Sequence, residues 1–449
     1  MYTCVENYLQ CMSCMDINLN CVVTWKMKVI VATTFEGGYQ PLTAISAATA
    51  LIDAGFDAQL VDVYVEGLVE SMFSDADVIC ISVPLFDSLQ AGVQLAAKIS
   101  EWNPKAIKVF FGQYATINAE RLTGKYSEYT IVGEWEVPLV NLLKRLSGQD
   151  ASLAGIVDVK KLESKEIVVP FLERNNFRLP KREIAPPLFK YPQPQIDKLL
   201  GSKQIVGGIE GTRGCHHKCT YCSVYAAYDG KVLMVSSELV ERDTAALVEQ
   251  GMTHLTFTDA DFFNAKHHGI AILRKLHEKH PDLTYDFTTR VDHILENKET
   301  IKEMVSLGLA FITTALEFPK QEVLDQVVKE MDMNMIEESI AFLLSLKIKV
   351  NPTFIMFNPW VGLEDIAKFH DFVEKNQLLD IVDPIQYETR LHLYKGSPLL
   401  RNESVKRLEL EEHEFHFDWK HPDSRLDTLY AQSLTPVEEG VFKRCCLKC

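Results

Sequence analysis

The sequence predicts an α/β protein: a doubly wound Rossmann-like domain, then a partial (β/α)6 barrel, then a cysteine-rich tail. Three observations carry this. Strand-like apolar runs alternate with helical segments from residue 28 to residue 146. A proline-rich stretch interrupts the pattern at 150–204, and the alternation then resumes through six more strand-like runs. Regular alternation of strand and helix dictates a parallel sheet whose ligand sites lie at the strand C-ends.

The run KVIVATTF (28–35) reads as a buried strand bounded by Gly37 and Gly38. LTAISAATALIDAG (42–55) has helical periodicity and stops at Gly55. Strands are expected at 58–63, 77–83, 106–111 and 129–133, with helices at 88–102 and 136–146. Between 150 and 204 stand Pro170, Pro180, Pro186, Pro187, Pro192 and Pro194. The segment PPLFKYPQPQ argues against helix or central strand, so an extended connector with short strands near 166–170 is expected. IVGGIEGTRGC (205–215) is a strand running into a loop. Further strands are expected at 254–258, 284–288, 310–316, 348–356 and 385–393, separated by helices near 236–250, 265–280, 298–307, 320–346 and 362–377. The boundaries are an extension 1–26, a first domain 27–149, a linker 150–204, the barrel 205–400 and a C-terminal extension 401–449.

A formal net charge of −16 repels phosphate backbones and argues against a nucleic-acid partner. No apolar run is long enough to span a membrane, and the N-terminus lacks a secretory pattern, so a cytoplasmic chain is expected. There, clustered cysteines read as metal ligands or reactive thiols rather than disulfides. Cys80, inside VICIS, reads as a small buried hydrophobe. Cys4, Cys11, Cys14 and Cys21 are spaced C-x6-C-x2-C-x6-C. They are either an appended soft-metal site or the product of an upstream start codon, since Met27 opens the first domain cleanly.

Cys215, Cys219 and Cys222 are spaced C-x3-C-x2-C directly after a strand, with Tyr221 before the last cysteine. Three thiolates hold a cubane iron–sulfur cluster and leave its fourth iron open; structural zinc with His216 or His217 as fourth ligand is the bland alternative. The motif resembles that of the radical S-adenosylmethionine (SAM) superfamily. That resemblance implies a 4Fe–4S cluster on the three cysteines, SAM chelating the open iron, and an electron donor such as flavodoxin or ferredoxin. It also implies SAM contacts from Asp259 or Asp261 after the second barrel strand, from Arg290 after the third and from Glu317 after the fourth. Helix capping and rim ion pairs are the competing readings of these residues. Segments 354–365 and 391–399 resemble the fifth- and sixth-strand exits of cobalamin-type radical SAM enzymes, which line the SAM and substrate site.

In the first domain, Asp62, Tyr64 and Gly67 resemble the D-x-H-x-x-G signature of cobalamin-binding domains, with Tyr at the His position. VGEWEVPL (132–139) is similar to the G-E-x-E segment common there. A phenol is not an imidazole donor. His-on cobalamin is therefore disfavoured, leaving base-off cobalamin or a scaffold that binds none.

The chain ends Arg444-Cys445-Cys446-Leu447-Lys448-Cys449. This resembles the RCCLKC-tail radical SAM proteins, which have two branches. One comprises cobalamin-dependent P-methyltransferases of antibiotic biosynthesis that act on a phosphinate. The other belongs to arsinothricin biosynthesis and moves the 3-amino-3-carboxypropyl group of SAM onto trivalent arsenic. Basic neighbours lower the pKa of the tail thiols, and thiolates prefer soft centres such as trivalent arsenic. Cys445, Cys446 and Cys449 are thus candidate catalytic residues that hold the acceptor; an auxiliary cluster or a cap on the iron are the other uses of such a tail. The expectation is C–As bond formation, with P-methylation second and a non-catalytic metal or arsenic sensor third.

Overall fold

The computed structural model describes residues 27–174 and 176–434. The terminal cysteine groups, Cys4 to Cys21 and Cys445, Cys446 and Cys449, lie outside the described residues.

The first domain holds β1 (Lys28–Thr33), β2 (Asp57–Asp62), β3 (Val78–Ser82), β4 (Ile107–Phe111), β5 (Tyr129–Ile131) and β6 (Ile156–Asp158). Their order is β2-β1-β3-β4-β5-β6, parallel except for β6. The strands are continuous apolar runs because both sheet faces are covered. Val29, Val31 and Cys80 face helices Leu42–Asp53 and Glu136–Leu146, while Ile30, Ile79 and Ile81 face Phe86–Trp102 and Gln113–Leu122. Cys80 is fully buried, and burial pushes its thiol up to about 12. The strand order reverses between β1 and β3, opening a crevice at their C-ends. Helix Gln113–Leu122 has no counterpart in the sequence reading. Its buried face is Tyr114, Ala115, Asn118, Ala119 and Leu122, too small and polar to show periodicity.

The linker departs from expectation. Residues 166–170 form no strand; instead β6 extends the first sheet, and a helix, Pro194–Leu200, begins inside the segment read as non-helical. Proline is tolerated there because the first helical position has no N–H bond to lose. The linker also laces the domains together. Arg182 forks onto Asp243 at 2.7 and 2.7 Å and donates to the Gly208 carbonyl at 2.8 Å, all buried. Tyr191 donates to Asp62 at 2.6 Å.

The second domain opens with β7 (Val206–Ile209) and a hairpin of β8 (Thr212–Gly214) and β9 (Val232–Met234). β10 (His254–Phe257), β11 (Thr284–Thr288), β12 (Leu309–Glu317) and β13 (Lys349–Phe354) then join β7 in one parallel sheet in chain order. Helices Ser237–Glu249, Lys266–Lys279, Lys298–Ser306, Met333–Ser345 and Leu363–Lys375 cover it. The sixth strand expected at 385–393 does not form. The backbone turns at Pro384–Glu388, and only a Phe357–Arg390 bridge reaches across. Side chains satisfy that edge instead: Phe354 N donates to Gln386 Oε1 at 2.7 Å and Met356 N to Thr389 Oγ1 at 3.0 Å. β14 (Leu393–Tyr394) joins β15 (Leu410–Glu412) and β16 (His416–Trp419) in a small antiparallel sheet. No helix among the described residues is long and apolar enough to cross a membrane.

Candidate active site

The cysteine loop leaves β8 through Gly214, whose φ is +87° and where a Cβ would sit 2.2 Å from the Lys231 carbonyl oxygen. Only glycine allows this crossing, and it turns Cys215 inward. Behind it, Asp259 accepts from Gly211 N at 2.8 Å and Thr212 Oγ1 at 2.6 Å. Asp259 thus holds the turn and does not line the cavity. After Cys222 the helix Ser223–Tyr228 begins. Residues 394–399 brace the loop: Tyr394 donates to the Cys222 carbonyl at 3.0 Å, Ser397 to that of Thr220 at 3.1 Å.

Cys215, Cys219 and Cys222 line one cavity of about 290 Å³. Burial raises all three thiols, Cys222 to about 11, so a metal is what would make them thiolates. Arg290 Nη1 stands 3.6 Å from Cys219 Sγ. Three cysteines lining one cavity fit a cubane with one iron left for a non-protein ligand.

Tyr221, Asp261, Arg290 and Glu317 line the same cavity, each already engaged. Asp261 accepts from Phe263 N at 3.0 Å, Thr289 Oγ1 at 2.9 Å, Arg290 N at 3.3 Å and His293 Nδ1 at 3.1 Å. It is both a cap and a hub between the second and third strand exits. Arg290 forks onto Asp292 at 2.9 and 2.8 Å and donates to the Lys329 carbonyl at 2.6 Å. Glu317 takes the Tyr221 hydroxyl and the Lys329 ammonium. It sits at φ +60°, where β12 slips register against β13, a strained conformation for a non-glycine residue.

Lys329 escaped the sequence reading. It lies inside the helix expected at 320–346, which the structure splits into Gln321–Gln326 and Met333–Ser345. Val328 and Glu330 adopt φ of 53° and 56°, and that break delivers Lys329, 3% exposed, to Glu317. His293 also went unread. Its ring lies 4.9 Å from that of His217, whose buried Nε2 has no hydrogen-bond partner.

The opposite wall of the cavity is the first domain: Glu36, Tyr39 and Gln40 after β1, Pro84 and Leu85 after β3, and Gln113 after β4. Glu36 accepts from Thr43 N at 2.9 Å, Ala44 N at 3.1 Å and Ser82 Oγ at 3.0 Å, yet burial pushes its carboxyl up to about 7. Asp62, Tyr64 and Gly67 do not line the cavity. Asp62 caps a short helix through Tyr64 N at 3.1 Å, and burial raises it to about 6. Tyr64 packs edge-on against Phe35 at 5.2 Å, and Gly67 turns the chain at φ +80°. These residues offer cobalt no imidazole nitrogen.

The GEWE segment serves the domain interface. Glu134 and Glu136 each meet Arg213 Nη1 at 2.8 Å, and Glu210 meets its Nε at 2.7 Å. The guanidinium is sandwiched by Trp135 and Phe177, 4.2 and 4.8 Å from the ring centres. Arg213 is two residues from Cys215, so this anchor fixes the cysteine loop to the first domain. Arg213→Met should cost about 3–5 kcal/mol, because it strands buried carboxylates; urea denaturation measures this, and an unchanged midpoint refutes it. Burial raises Glu134 from 4.5 to about 7 against the Arg213 charge. A raised folded pKa means the folded chain holds the proton more tightly. That contribution is full below pH 4.5 and is lost as pH rises through about 7.

Comparison with known proteins agrees with this geometry. Residues 209–373 match the model of the radical SAM superfamily. The chain is 25% identical over 328 residues to the hopanoid C-3 methylase of Methylococcus capsulatus, covering 72% of this chain and 62% of the methylase. It is 22% identical over 305 residues to the threonylcarbamoyladenosine tRNA methylthiotransferase of Caenorhabditis elegans, covering 64% of this chain and 69% of that enzyme. Its fold is similar to that of the cobalamin-dependent SAM radical enzyme OxsB (TM-score 0.69, 16% identity, 91% of this chain and 66% of that one). The radical SAM methyltransferase TsrM from Kitasatospora setae is also similar (TM-score 0.67, 14% identity, 92% and 89%). The chain thus spans just under two thirds of the lengths of the methylase and of OxsB. It carries a radical SAM domain, whose cofactors are a 4Fe–4S cluster and SAM, beside a Rossmann-like domain.

Proposed function

We propose that this chain is a radical SAM transferase that moves the 3-amino-3-carboxypropyl group of SAM onto trivalent arsenic, forming a C–As bond. The observation that carries the reading is the three-thiol tail, Cys445, Cys446 and Cys449, on a chain with a cluster-type cysteine loop. The last described helix, Ser424–Ser433, lies near the cavity end of the barrel. Its Tyr430 ring is 5.1 Å from that of Phe357, three residues beyond the cavity residue Phe354. Residues 435–449 have an extended reach of roughly 50 Å from there.

On this reading Cys215, Cys219 and Cys222 hold the cluster, which when bound supplies the electron that breaks a carbon–sulfur bond of SAM. Tyr221, Glu317 and Lys329 form a rigid, charge-compensated wall beside it. Asp261 and Arg290, which line the cavity, would hold the amino and carboxylate groups of SAM when it is bound. The tail thiolates would hold arsenite as a trigonal centre whose lone pair meets the carbon radical; one electron of that pair would form the C–As bond and the other would return to the cluster, so that SAM and As(III) become 5′-methylthioadenosine and an organoarsenic(V) product.

A second reading, cobalamin-dependent methylation of a phosphinate, is favoured by the likeness to the hopanoid methylase, OxsB and TsrM. One assay separates the two. Anaerobic protein, SAM and dithionite are given arsenite or a phosphinate, with and without hydroxocobalamin. The expected result is an aminocarboxypropyl arsenical made without cobalamin, and no spectrum of protein-nitrogen ligation on cobalt. A methylated phosphinate made only with cobalamin, with arsenite ignored, overturns the proposal.

A further inference from the structure

Away from the cavity, the C-terminal extension gathers another set of metal-ligating side chains. β15 and β16 are joined by a tight turn in which His413 N donates to the His416 carbonyl at 2.9 Å. Residues two apart on a strand share a face, so His416 and Asp418 project together, and His413 joins them across the turn. One ligand atom from each lies within 4.8 Å of the others. The two imidazoles stack with centres 4.8 Å apart and planes 15° apart.

Asp418 bridges them, with Oδ2 3.1 Å from His413 Nε2 and Oδ1 3.4 Å from His416 Nε2. The closer approach is not a hydrogen bond: His413 Nε2 is buried and has no partner in line. Two imidazole nitrogens and a carboxylate converging at this spacing are what a shared cation requires. Asp418 is largely exposed, so a cation has a path in.

We propose that His413, His416 and Asp418 bind a divalent cation of the zinc class, with water completing a tetrahedron. Two imidazoles and one carboxylate suit zinc better than hard magnesium or calcium. Beside His416 stands His392, ring centres 5.4 Å apart, whose Nε2 is also buried without a partner; a metal-bound water satisfies it. The site sits where the extension meets the first domain. Glu414, in the same turn, takes bonds from Lys125 and Tyr126. Phe86, opening the helix Phe86–Trp102, packs on His392 at 4.0 Å and His416 at 5.2 Å. A cation here pins the extension that leads to the tail, independently of the chemistry in the cavity.

The test uses the full chain with its iron in place, loaded with zinc and washed free of excess. Zinc and iron are counted in wild type, in His413→Ala/His416→Ala and in Asp418→Asn. Wild type is expected to hold one zinc per chain more than either variant, with iron equal in all three. The difference in zinc-edge X-ray absorption should show nitrogen and oxygen scatterers and no sulfur. Equal zinc in all three, a sulfur shell on the zinc that is lost, or zinc lost only together with iron overturns the assignment.

Discussion

Replacing Cys215, Cys219 and Cys222 together with Ala is expected to remove the barrel cluster and abolish SAM cleavage. These thiols line one cavity, and three thiolates are the whole protein share of a cubane's ligands. The reconstituted wild type should carry about four irons at this site. The variant should lose that iron, its cluster absorption and all 5′-methylthioadenosine, the fragment left when the aminocarboxypropyl group departs. The fold should survive, because burial had kept these thiols as small, partly apolar groups. Iron analysis, circular dichroism and product chromatography check this. A variant that keeps its cluster spectrum and still cleaves SAM would falsify the assignment.

Changing Cys445, Cys446 and Cys449 all to Ser should do something different. The barrel cluster should remain, and SAM should still be cleaved without a productive acceptor, while the arsenical product falls to background. Serine keeps the size but offers a hard oxygen, a poor partner for trivalent arsenic. The contrast between the two triple variants separates generation of the radical from capture of the acceptor. Wild-type product rates in the tail variant would remove the tail from the chemistry and leave the proposed function without its main support.

Much of this molecule was legible in one dimension. Strand and helix periodicity are local, so the alternation from Lys28 to Phe354 predicted both sheets. It erred where local pattern misleads: at 385–393, where Gln386 and Thr389 replace a strand, and at 113–122, where a helix buries alanines and an asparagine. The cysteine spacing is local chemistry too, and it indicated the cluster site without any coordinates. What the sequence by itself determined is therefore the alternation of strand and helix in the two main sheets and a C-x3-C-x2-C loop directly after a strand. The tertiary structure alone decided which charges meet: Lys329 with Glu317, Arg213 with Glu134 and Glu136 across the domain boundary, and Asp261 with His293. The physical reason is that a buried charge needs a partner wherever the chain can bring one. Residues far apart in sequence leave no periodic trace of such a meeting, whereas a strand, a turn or a C-x3-C-x2-C loop is written in neighbours.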